Sequence, residues 1–162
     1  MEPLITLVVV TAVTLLVGII WKQPSLRSVP MALRFGLAAM FLLAATVHFV
    51  SMRAELIAMV PPWLPEPALL VDITGITEIA GAVGLLIPRT AMWAAGGLTL
   101  QLVLMFPANV HLALSGQALP WWDQLPGRTL MQLVFLAATT TVLVDRYRAR
   151  KESGLQKRLV HA

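Results

Sequence analysis

Glu78 is the residue of this chain best placed to do chemistry, because an ionisable carboxyl lies roughly ten residues into an apolar run of about twenty, from Ala68 to Pro88. A charged acid near a bilayer midplane costs at least ~2.5–3.5 kcal/mol, so such a group faces protein or water. There it can exchange a proton or hold the polar head of a ligand. At 100° per residue, Thr74 and Ala82 stand about 40° from Glu78 on the helix wheel, and Gly75 and Gly81 about 60°. The carboxyl thus projects from a face of small residues that lets another helix come close. The plainer reading is a neutral carboxyl that only ties helices together.

His48 gains interest from its geometry with Glu78. It stands about one turn from the end of its own apolar run, Met31 to Met52, which crosses in the opposite direction. Side chains lean toward the N-terminus of their helix, so the two tilt toward each other over an expected offset of roughly 8–10 Å. One water or one ligand group fills such a gap. Asn109, at nearly the depth of His48, is a third member if its helix is adjacent. His48, Glu78 and Asn109 are therefore the candidate ligand-binding residues, lining one cavity.

Other polar residues carry less. His111 is 200° around from Asn109, so the two face one cavity only if Pro107 distorts the helix between them; it reads as an interfacial residue. Gln101 reads as an interhelical hydrogen bond, and Asp72 as a capping or loop-binding group. No metal site is expected, since His48, Glu78 and His111 lack the local spacing of metal ligands. Ser-His-Asp catalysis has no nucleophile elbow to rest on. With no cysteine in the chain, thiolate metal sites, covalent haem and thiol redox chemistry are excluded. Any redox role needs a cofactor or a redox protein partner.

The elements that position these residues follow from composition. Of 162 residues, 58% are apolar and 12% charged, and mean hydropathy is +0.81, which asks for lipid as solvent. Apolar runs at about 4–21, 31–52, 68–88, 91–114 and 128–144 predict an all-α, polytopic transmembrane bundle of five spans. The first run competes with a cleavable signal peptide, but Glu2 precedes it where a basic region is expected, and Lys22 and Arg27 follow it. Pro107 is expected to kink or end the fourth span, and the fifth is short enough to need snorkelling ends.

Net charge is +4 with a pI near 10.4, yet six of the twelve basic residues follow Val144. That distribution describes a membrane-flanking basic tail, 146–162, rather than a nucleic-acid surface, and anionic lipid would attract it. With five spans, ten basic residues fall on one face and two on the other, so the N-terminus is expected outside and the C-terminus in the cytoplasm. The outer face then carries two loops, one holding Pro61, Pro62 and Trp63 and the other Trp121 and Trp122. They read either as interfacial anchors or as a joint lid over an outward-facing cavity.

Taken in order, "MFLLAATVHF", "AMVPPWLPEPALLVDITGITEIAGAVGLLIPRT" and "MFPANVHLAL" resemble the DoxX-like family of small integral membrane proteins. The resemblance runs from about Met31 to Val144 and implies a four-helix unit to which the first span is an N-terminal addition. The matching features are His48, Pro61 to Trp63, Glu78, Pro88-Arg89 and Phe106 to Asn109. It also implies a link to quinone-coupled oxidation, to oxidant-defence complexes, or to folding or export of partner proteins. Two functional expectations result. One is a subunit of a redox or oxidant-defence assembly that binds a small apolar molecule with a polar head, a quinone by family analogy. The other is a non-enzymatic scaffold or assembly factor for another membrane or exported protein.

Overall fold

The computed structural model describes residues 1–160 and is built from six α-helices, with no strand among the described residues. They are α1 (Glu2–Ile20), α2 (Val29–Val50), α3 (Arg53–Met59), α4 (Pro67–Leu86), α5 (Ala91–Ala113) and α6 (Leu125–Val160), with a 3-10 turn at Pro24–Arg27 between α1 and α2. All but α3 are long and apolar enough to cross a bilayer. The protein is a five-span membrane bundle.

Proline sets several of the starts. Pro3, Pro30 and Pro67 each stand in the first two positions of their helix, where the missing N–H has no intrahelical partner to lose. Pro107, by contrast, lies inside α5, which runs through it unbroken. The proline therefore does not end the span.

The helices α2, α4, α5 and α6 form a closed ring in which each touches the next and α6 returns to α2, while α1 lies outside it against α2. This is the four-plus-one arrangement expected. The core is made of Leu37, Met40 and Phe41 of α2, Ala82 and Leu85 of α4, Ala95 and Leu98 of α5, and Ala138 and Val142 of α6, with Leu7 reaching in from α1. On α4 the buried residues are Val71, Gly75, Glu78, Ala82 and Leu85, an unbroken stripe at helical spacing that contains the acid. Outward, α1 alone exposes Ile5, Val8, Val9, Val13, Leu16 and Ile19. In water such a surface is a liability, and in lipid it is the ordinary exterior.

The last helix is the longest. The helix outruns the apolar span: α6 continues through the basic segment to Val160, a length of about 54 Å at 1.5 Å per residue, against ~30 Å of hydrocarbon. Charge marks the point where the sequence leaves the apolar phase, but charge does not stop a helix. Arg150 lies 5.9 Å from the Trp93 ring, which seats the extension beside the start of α5. Of the basic tail, His161 and Ala162 lie outside the described residues.

Candidate functional site

His48 and Glu78 meet. His48 Nε2 is 3.5 Å from Glu78 Oε2, and each residue is 4% exposed. The pair is formed across the α2–α4 interface, and Gly75 makes the approach possible. A Cβ at that position would stand 2.9 Å from the His48 Cβ and 2.8 Å from the Phe49 ring, so only a bare backbone fits. His48 is therefore level with Gly75, three residues or about 4.5 Å along the helix from Glu78. The larger offset expected from sequence assumed that the two helices end at one depth. The side chains themselves reach across this smaller offset to 3.5 Å.

The histidine is oriented from behind. Its Nδ1 is 2.8 Å from the Val71 carbonyl, and since a carbonyl only accepts, Nδ1 carries a hydrogen and donates it. Thr74 Oγ1 lies 3.5 Å from the same nitrogen while donating to the carbonyls of Leu70 and Val71. Nε2 is thus the free ring nitrogen, and it faces the acid. Among the described residues Glu78 Oε2, in turn, has no hydrogen-bond partner. Its separation from Nε2 exceeds that of a formed hydrogen bond. One proton shared by the two groups leaves either an acid and a neutral imidazole or a carboxylate and an imidazolium, both without net charge.

Asn109 is not brought to this pair. Its Oδ1 accepts from Arg128 Nη1, while Arg128 also donates through Nε and Nη2 to the carbonyl and carboxylate of Asp123. Asn109 is thus part of a clasp that fastens the loop before α6 to α5. The helix wheel foretold the divergence from His111, and the structure assigns each its partner: His111 Nδ1 lies 3.1 Å from the Met59 carbonyl at the end of α3.

The two aromatic loops line separate hollows. Pro61 and Trp63 stand over Phe106, Pro107, Val110 and His111 of α5. Trp121 and Trp122, stacked edge to face at 5.9 Å, stand against Met1, Leu4 and the first turns of α6. The second seat depends on Gly127, where a Cβ would come within 2.6 Å of the Trp121 carbonyl oxygen. Pro61 is buried, Pro62 exposed and Trp63 70% exposed. The two hollows have no lining residue in common.

Asp72 takes the loop-binding role expected, receiving Arg53 Nε and Nη2 at 2.9 and 2.8 Å and so fixing α3 to α4. Those bonds hold the Arg53 guanidinium above its ordinary pKa. Gln101 is an interhelical bridge, donating to the Thr74 carbonyl and accepting from Thr77 Oγ1. Among the described residues no three His, Cys, Asp or Glu side chains converge as metal ligands do.

Three buried polar residues escaped the sequence reading: Arg34, Gln132 and Thr139, the last donating to the Phe135 carbonyl of its own helix. Arg34, 3% exposed, donates from Nε to the Leu85 carbonyl at 2.7 Å and from Nη2 to the Leu86 carbonyl at 3.1 Å, capping the end of α4. Gln132 donates to the Leu102 carbonyl of α5 at 2.7 Å. The available signal was the one used for Glu78, a polar residue in an apolar run; Arg34 lay near enough to the end of its run to pass as a snorkelling cation.

Comparison with curated proteins and with solved structures returns no match. A family model matches residues 37–142, from within α2 to the membrane portion of α6, which is the helical ring without α1. On that match over well more than half its length, the chain belongs to the family described as a domain of unknown function, DUF8561.

Proposed function

We propose that this protein is a membrane subunit that binds a small apolar molecule with a polar head and exchanges a proton with it through Glu78 and His48. A quinone is the example that the resemblance to the DoxX-like family suggests, and a redox protein is the partner it suggests. In this reading the end carrying α3 and the Trp loops faces outward in the cell membrane, and the basic end lies in the cytoplasm.

The observation that carries the proposal is Glu78 Oε2, an acid oxygen enclosed at mid-span with no hydrogen-bond partner among the described residues. Buried polar atoms almost always have one, and ionisable groups at this depth are as a rule functional. A hydroxyl or carbonyl of a ligand head supplies the missing bond. When such a head takes up or releases a proton, Glu78 is the group beside it and His48 Nε2 the group that keeps the pair neutral. Val71 and Thr74 hold the imidazole so that Nε2 stays turned toward the acid.

Native mass spectrometry of the detergent-purified protein, with organic extraction of the same sample, tests the reading. A stoichiometric apolar small molecule, lost in Glu78→Leu and kept in Glu78→Gln, is the expected result. Stoichiometric protein without any such molecule would favour a scaffold.

A further inference from the structure

A second site stands on α5, apart from the His48–Glu78 pair and independent of the function proposed for it. Between the loop after α3 and the last turns of α5 lies a shallow, widely open hollow of about 350 Å³, lined by Pro61, Trp63, Phe106, Pro107, Val110 and His111. Its volume falls in the range of small-molecule sites, which combine apolar walls with a few placed polar groups. We infer that this hollow binds an amphiphile with a hydroxylated aromatic head, the hydroxyl donating to His111 Nε2 and the apolar chain running into the bilayer along α5.

The chemistry of the head follows from His111. Its Nδ1 is committed to the Met59 carbonyl, which forces the hydrogen onto Nδ1 and leaves Nε2 of the neutral ring as an acceptor. An acceptor selects a donor, so a hydroxyl fits and the corresponding ether does not. The shape of the head follows from the walls. Trp63 and Phe106 offer aromatic faces and Pro61 and Pro107 rigid apolar ones, a setting for a flat ring. The direction of the tail follows from exposure. Val103 and Leu104, one turn deeper on α5, are 52% and 68% exposed and continue the apolar track into the hydrocarbon. The His111–Met59 bond also fastens the helical part of the loop, so the acceptor and the Pro61–Trp63 wall are fixed by one contact.

The test uses the full chain in lipid nanodiscs and an alkylphenol carrying a photoreactive diazirine in its chain. Irradiation followed by peptide mass spectrometry is expected to place the label on α5 between Val103 and His111 or on the Pro61–Trp63 loop. Nonylphenol should compete for labelling about tenfold better than its methyl ether, which has lost the donor. His111→Phe, which keeps a ring and removes the acceptor, should erase that preference, while Glu78→Gln should leave it unchanged. Label spread evenly over lipid-facing helices, or equal competition by the phenol and its ether on the unaltered protein, would overturn the inference. The ether comparison decides the matter even if His111→Phe fails to fold.

Discussion

Arg34→Met removes a side chain of α2 that hydrogen-bonds the end of α4. In the native bundle its guanidinium gives two hydrogen bonds to the carbonyls of Leu85 and Leu86, groups that the helix itself leaves unpaired, and sets a positive charge at the negative end of the helix dipole. Hydrogen bonds to a charged group contribute about 1.5–3 kcal/mol each. Against them stands the cost of burying the cation, several kcal/mol, which methionine does not incur. The orphaned carbonyls, at about 1–3 kcal/mol apiece, remain as the larger part of the loss. The expected net destabilisation is about 2–4 kcal/mol, and Arg34→Lys, which keeps the charge but loses the fork, should lose about half of it. Unfolding in mixed micelles by increasing sodium dodecyl sulfate, followed by far-ultraviolet circular dichroism, measures both. A methionine variant within about 0.5 kcal/mol of the native protein would refute the capping argument. So would a lysine variant as damaged as the methionine one, because charge at the helix end would then contribute nothing.

Gly75→Ala should force α2 and α4 apart, costing about 1–3 kcal/mol as overpacking does, and unfolding in the same micelles would show it; a neutral result would mean that His48 is not pressed against that backbone. Arg128→Met should free Asn109 and the Trp121–Trp122 loop together, read as faster hydrogen exchange at residues 119–124, with the exchange of α4 unchanged. Single cysteines at Ser115 and Ser153 of this cysteine-free chain should label from outside and from the cytoplasm respectively; the reverse pattern would invert the orientation proposed.

The helices were legible because lipid imposes a length and a polarity that a sequence displays directly: every span begins within three residues of its expected start. The end of α6 was not, since helix propensity continues through Arg146, Arg148, Arg150 and Lys151 after hydropathy has fallen. The His48–Glu78 meeting was legible in kind, from the opposed tilts of side chains on antiparallel helices. Its distance was not, because the relative depth of two helices depends on packing at Gly75, a long-range fact. Asn109 was misplaced for a related reason. Nothing near it in sequence reveals that Arg128, nineteen residues on, would claim its oxygen. Arg34 shows the same limit from the other side, its partners being 51 and 52 residues away.

The central claim is that Glu78 and His48 form one proton-sharing site that answers to the polar head of a ligand. Infrared difference spectroscopy addresses it directly, with an alkylquinone perfused over the protein in a supported bilayer and an alkylbenzene of equal chain length as control. Quinone addition should produce a carboxyl band change that vanishes in Glu78→Gln, shifts in His48→Gln and is missing with the alkylbenzene. A difference spectrum that is the same in the native protein and in Glu78→Gln would contradict the claim.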